Sequence, residues 1–281
     1  MGTPRFARYV ALGDSTVEGL DDPDGRGGYR GWATRLAERI AMEQGDLLYA
    51  NLAVRGLTTR EVLTQQLGPA LEMKPDLAIV VSGTNDILRP RFDAERTAHD
   101  LERMQRAFIE QGATVVSFSL PDLTPVMPLA RPIRGRIQRF AAALVAAGER
   151  SGARVIDFTA HPVASDPRLW SEDRLHANSL GHARIAEALA EVLGLQDADA
   201  GWATPLPAPE PRGVSGALAA ELRWNRRYLW PWLWRHARGR SSGDGHGPKR
   251  PRLEPVVSAP ATTSQEAVSR PDSSRSRACG S

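Results

Sequence analysis

Five short apolar runs alternate with stretches of helical period along the first two hundred residues, and this alternation narrows the fold more than any other feature. The runs lie at 8–13, 47–54, 77–81, 114–120 and 153–158. The first shows no polar alternation, as expected of a strand covered on both faces. The third, Leu-Ala-Ile-Val-Val, is the most apolar and reads as a central strand. Between them, apolar residues at 32, 33, 36, 37, 40 and 41 keep helical spacing. Further helices are expected from Thr58, whose partner Glu61 completes a capping-box pattern, at 94–111 ahead of Gly112, at 133–149 and at 180–193. Strands alternating with helices give an α/β fold, a three-layer α/β/α sandwich around a five-stranded parallel sheet. Ligands of such sheets bind outside the carboxyl ends of the strands. The loops to search are therefore 13–31, 54–58, 82–92, 120–132 and 159–178.

Charge divides the chain. Residues 1–200 hold 23 Lys/Arg against 27 Asp/Glu, a net of −4, and the remainder carries +7. The basic character thus belongs to the C-terminal part. The expected organisation is a folded domain over 1–197, a Pro-rich linker over 198–212 stiffened by Pro205, Pro207, Pro209 and Pro211, a basic Trp-rich helical segment over 213–240, and a disordered tail over 241–281. The tail is rich in Ser, Gly, Pro and Arg and has too little apolar surface to fold. In 213–240, Leu218, Leu222, Leu229 and Leu233 recur at helical spacing among arginines and tryptophans, and Pro231 ends or kinks the helix. One reading docks these leucines on the domain. The second is peripheral membrane contact, since tryptophans beside arginines suit an anionic lipid interface. Nucleic acid binding is the weaker third. The single cysteine, Cys279, leaves no disulfide framework within the chain. With no secretory signal or membrane span read from the sequence, a cytoplasmic protein is expected.

Small polar clusters fall at the expected strand ends. Gly13-Asp14-Ser15 follows the first strand, and Arg55-Gly56 follows the second. Gly83-Thr84-Asn85-Asp86 follows the third, and Asp173-Arg174-Leu175-His176 precedes the last helix. An Asp three residues before a His, in one tight turn, holds the imidazole by one nitrogen and leaves the other facing outward. A serine at a strand-to-helix turn supplies the hydroxyl that such a base would activate.

These four blocks, in this order, resemble those of the SGNH/GDSL hydrolase family of esterases and lipases, over roughly residues 7–195. Ser15, Gly56, Asn85 and His176 match the four residues that name the family. The resemblance implies a serine hydrolase acting on small carboxylic esters through an acyl-enzyme. Ser15 would be the nucleophile, His176 the base and Asp173 its orienter. The Ser15 N–H, the Gly56 N–H and the Asn85 amide would form the oxyanion hole. It implies no cofactor and no metal. The chain departs from the family pattern at Thr16, where an apolar residue usually follows the serine, and the segment beyond 200 lies outside the resemblance.

Other residues receive structural expectations. Asp14 should hydrogen-bond backbone in its own turn, and Asp86 should do the same in the third loop. His99, His161 and His182 should be solvated. Arg89 and Arg91 follow the third block, where they would favour an anionic group or simply solvate the surface. No Gly-x-Ser-x-Gly elbow is present, which disfavours an α/β-hydrolase. No cysteine pair or His-Glu-x-x-His points to a metal. A flavodoxin-like nucleotide-binding module is the fold-level alternative, though the glycines at 25–28 lack the Lys-Ser/Thr of a phosphate loop. The functional alternative is an inactive SGNH-fold adaptor presenting its basic C-terminal segment to a membrane or protein. The intact quartet speaks against it.

Overall fold

The computed structural model describes residues 4–208, 223–229 and 243–256. The strands are β1 (Arg8–Gly13), β2 (Leu48–Asn51), β3 (Leu77–Val81), β4 (Thr114–Phe118), β5 (Arg154–Ile156) and β6 (Arg250–Pro255). They form one sheet in the order β5-β4-β3-β1-β2-β6. The first five pair in parallel, with Ala11 of β1 opposite Asn51 on one side and Ile79 on the other. The α-helices are α1 (Ser15–Glu18), α2 (Gly31–Gln44), α3 (Thr59–Gln65), α4 (Leu67–Glu72), α5 (Thr84–Ile87), α6 (Ala94–Glu110), α7 (Arg134–Ser151) and α8 (Ser179–Leu193).

The strand period of two sorts β1 between two cores. Tyr9 and Ala11 face Trp32 and Leu36 of α2 and Leu189 of α8. Val10 and Leu12 face Leu101 and Phe108 of α6 and Phe140 and Leu144 of α7. Both faces are covered, which is why the run reads as unbroken apolar sequence. Burying each such Leu or Phe contributes about 1.5–3 kcal/mol. The expected capping box is present, with the Thr58 N–H donating to Glu61 Oε2 at 2.7 Å.

Two expectations for the C-terminal part are corrected. The sheet has six strands rather than five, and the sixth comes from the stretch read as a disordered tail. β6 pairs antiparallel with β2, with Tyr49 opposite Glu254 and Leu48 opposite Pro255. Low apolar content did not prevent this, because an added edge strand is held chiefly by main-chain bonds that β2 already offers. An edge also tolerates Pro251 and Pro255. The stretch read as linker is partly folded too. Ala200–Ala203 forms a short 3-10 helix whose Trp202 is buried against the ring of Phe158, at 5.6 Å between centroids. Of the 213–240 segment only 223–229 is described, and it is helical, ending in a π turn over Asn225–Leu229. Leu218, Leu222, Leu233 and Pro231 lie outside the described residues.

Candidate active site

β1 ends at Gly13, and the chain there allows no side chain. A Cβ at Gly13 would stand 2.0 Å from the Val81 carbonyl oxygen. Gln66 fixes the same residue from the side, accepting its N–H and donating to its carbonyl, both at 2.9 Å. Asp14 then caps α1 by accepting the Thr16 N–H at 3.0 Å, the backbone role expected of it. Such caps stabilise a helix start by about 0.5–2 kcal/mol. Burial pushes the Asp14 carboxyl up to about 6, against the lowering effect of the Thr16 N–H and the His176 charge. Thr16 lies in the first turn of α1, and its carbonyl accepts from Trp32 Nε1 at 2.8 Å. This strand–cap–turn sequence presents Ser15 at the carboxyl edge of the sheet.

His176 reaches the same place from the far end of the domain. Its turn is built around Asp173, whose Oδ1 accepts from Ser171 Oγ at 2.6 Å and from the Leu175 and His176 N–H groups at 2.9 and 3.0 Å. Arg174 takes a positive φ of 62° to close it. Asp173 Oδ2 stands 2.6 Å from His176 Nδ1, and His176 Nε2 stands 2.8 Å from Ser15 Oγ. A carboxylate only accepts, so Nδ1 carries the proton and Nε2 accepts from the serine hydroxyl. Burial raises Asp173 and lowers His176, but their mutual bond and charge reverse both effects. Asp173 is held well below the usual carboxylate range and His176 above the usual histidine value. The arrangement can take a proton from Ser15 and stabilise the resulting imidazolium.

The second and third blocks close on the first. Asn85 Nδ2 donates to the Leu57 carbonyl at 2.9 Å and to Asp14 Oδ2 at 3.3 Å. It therefore bridges the neighbours of Gly56 and of Ser15. Gly56 adopts φ 79°, in the left-handed region that favours glycine. Asp86 departs from expectation. It ties its loop to the start of α3, accepting the Thr59 N–H at 2.9 Å and the Thr59 hydroxyl at 3.0 Å.

Several residues around the site were not legible from motifs. His182 is not solvated as expected but almost fully buried. Its Nδ1 accepts the Trp32 N–H at 3.1 Å and its Nε2 donates to the Leu20 carbonyl at 2.9 Å. Burial pulls it down to about 4, so it stays neutral and fixes the loop after α1. His161 is half-buried against the Trp202 ring, at 4.6 Å between centroids, whereas His99 is exposed as expected. Arg89 and Arg91 are exposed. Asp21 brings a second carboxylate to 4.0 Å from His176 Nδ1. Glu18 is buried against Arg55, accepting both its N–H and its guanidinium. Lys249, just ahead of β6, donates to the carbonyls of Glu18, Tyr29 and Arg30 at 2.7, 2.9 and 3.0 Å. An amphipathic pattern around Lys249 would have flagged it, but none exists. Among the described residues, Asp21, Asp173 and His176 are the one trio of metal-ligand type within reach of one another. Asp173 and His176 already face each other at 2.6 Å.

A parallel sheet that gathers a serine, a histidine and an aspartate at its carboxyl edge belongs to the class of α/β hydrolytic enzymes built on flavodoxin-like topology. The model of the GDSL-like Lipase/Acylhydrolase family matches residues 11–184. The chain belongs to that family and is an ester-hydrolysing enzyme. Similar solved structures include the acetylxylan esterase Axe2 from Geobacillus stearothermophilus, as a catalytic mutant, at 15% identity and TM-score 0.59, covering 71% of this chain and 100% of that one. A lipase/acylhydrolase from Enterococcus faecalis is 23% identical at TM-score 0.55, covering 67% and 96%. The psychrotrophic esterase EstA from Pseudoalteromonas sp. is 19% identical at TM-score 0.54, covering 66% and 96%. At these identities the likeness establishes the fold. No curated protein matches the sequence.

Proposed function

We propose that the protein is a serine esterase that cleaves small carboxylic esters through an acyl-enzyme. The observation that carries this reading is the continuous chain from Ser15 Oγ through His176 to Asp173, with links of 2.8 and 2.6 Å. Ser15 attacks the ester carbonyl while His176 Nε2 takes its proton. Asp173 holds the imidazole in the tautomer that leaves Nε2 free to accept, and it stabilises the imidazolium. The negative charge that develops on the carbonyl oxygen meets the Ser15 N–H, the Gly56 N–H and the Asn85 amide. Each donor of this kind is worth about 2.7–4 kcal/mol in the transition state. His176 then returns its proton to the leaving alkoxide. Water repeats the sequence on the acyl-enzyme and frees the acid.

Of the two main readings of 213–240, docking onto the domain is the one the described residues support. Trp224 is buried beneath the Arg174 guanidinium, 4.7 Å from its ring centroid, and Tyr228 donates to Glu172 at 2.9 Å. Among the described residues no helix is long and apolar enough to cross a membrane. A cytoplasmic location fits the lone cysteine. The direct test is labelling with a serine-directed fluorophosphonate. The intact protein should be labelled at Ser15, and Ser15→Ala should lose both label and ester hydrolysis. A label on any other serine would overturn the assignment.

A further inference from the structure

A small cavity of about 60 Å³ opens beside the Ser15–His176 pair. It runs between the end of β4, the turns before α8 and α8 itself, with Leu120, Phe158, Val163, Leu169 and Ile185 among its walls and Trp202 also lining it. Its polar side chains have partners elsewhere. Ser119 donates to Asp157 at 2.8 Å. Arg184 donates to the Gly201 and Trp202 carbonyls at 2.7 and 2.6 Å. Both ring nitrogens of His182 are bonded, and Trp170 Nε1 donates to the Ala164 carbonyl at 3.0 Å. The surface left toward the cavity is carbon. A hydroxyl or charge entering it would give up water and find few partners, whereas each buried methylene improves binding by about fourfold.

We propose that this cavity seats one unbranched aliphatic arm of the ester, several carbons long. This rests on the reading of Ser15 as the nucleophile, because the cavity matters to the reaction only if the ester carbonyl is held there. The wall includes Ser15 and His176 but neither Gly56 nor Asn85. The arm therefore enters on the imidazole side of the nucleophile, away from the oxyanion donors. A volume of about 60 Å³ favours a straight chain of a few carbons over a branched group or a sugar ring.

The test measures kcat/KM in two series on the full chain. One is p-nitrophenyl esters from acetate to decanoate, and the other is acetates of straight alcohols from methanol to octanol. One series should rise by about fourfold per methylene and then level off once the cavity is full. The series that rises identifies the arm as acyl or alcohol. Ala164→Leu, on the cavity wall, should move that plateau to shorter chains. Ile185→Ala should move it to longer chains, so the proposal does not depend on one variant folding. Rates flat in both series, with Ser15 still labelled by fluorophosphonate, would overturn the cavity assignment alone. Absence of both labelling and hydrolysis in folded protein would overturn the nucleophile reading and the cavity with it.

Discussion

Ser15 Oγ lies 2.8 Å from His176 Nε2 although 161 residues separate them in the chain. Neither residue owes its position to the other. Gly13 and the α1 cap set the serine, and the Asp173 turn sets the histidine. Removing either side chain should therefore leave the fold intact. Ser15→Ala and His176→Ala should each abolish most turnover, and the double variant should be little worse than either single one, because residues acting as one unit are strongly non-additive. Steady-state kinetics on the three variants, with circular dichroism to confirm folding, checks this. Losses that multiply would mean the two residues act separately.

The proposed oxyanion role asks the Asn85 amide to exchange its long 3.3 Å bond to Asp14 for one to the substrate. Asn85→Ala should lower kcat by about 10²–10³ with a smaller change in KM, since the oxyanion exists mainly in the transition state. A change confined to KM would assign the amide to ground-state binding.

The pH profile should report the pair at His176. Its net shift is upward, so the imidazole stays protonated to higher pH than an ordinary histidine. Only the neutral form can act as base, so kcat/KM should rise with pH through a midpoint above about 6.5. Stability runs the other way. The contribution of the raised His176 is fully present below the unfolded value and fades as pH climbs through the folded one. Asp173→Asn should move the midpoint down and cut kcat by roughly 10⁴. Asp21→Asn, 4.0 Å from Nδ1, should move it down by less and spare most of the rate. An unmoved midpoint in both variants would detach the acid limb from His176.

Lys249 should matter to stability from outside the catalytic machinery. Lys249→Met strands three carbonyl oxygens, at a cost of about 1–3 kcal/mol. For a domain of this size that is a fall in Tm of roughly 2–12 °C. Burial pulls the ammonium down to about 8. Between there and the unfolded value near 10.4 the folded state has lost a proton that the unfolded state keeps. Stability linked to this group therefore rises with pH in that window, and the gap between wild type and Lys249→Met should widen from pH 8 to 10. Denaturant melts at the two pH values measure it. A constant gap would count against a buried, titrating lysine.

The segment around Trp224 should behave as part of the domain. Cutting the chain after Gln196 should lower Tm, and neither form should co-sediment with anionic vesicles at low salt. The truncated form also loses Trp202 and β6, so the vesicle result is the decisive one. Binding by the intact protein alone would restore the lipid-contact reading of 213–240.

The doubly wound sheet was legible because unbroken apolar runs and helical periods are imposed by burial on two faces. That Ser15, Asp173, His176 and Asn85 would meet at one sheet edge was legible because each sits in a short block whose chemistry is local. What escaped was structure made by main chain. β6 has no apolar signature, since Arg250–Pro255 joins the sheet through backbone bonds and leaves all six residues half-buried or exposed. His182 escaped for a related reason. Its two partners are the backbone of Trp32 and Leu20, 150 and 162 residues away, and no spacing within α8 reveals them. Asp21 was passed over because nothing in its own loop announces that it will face His176.

The hold of Lys249 on Glu18, Tyr29 and Arg30 also sets an order of events during synthesis. The loop that follows Ser15 is made first, and the residue that fastens it is made about fifty residues after Trp202. At ordinary rates of translation, that delay is roughly 3–10 s. A nascent chain on the ribosome can therefore have five paired strands and a packed Asp173 turn while the loop beyond Ser15 is still unfastened.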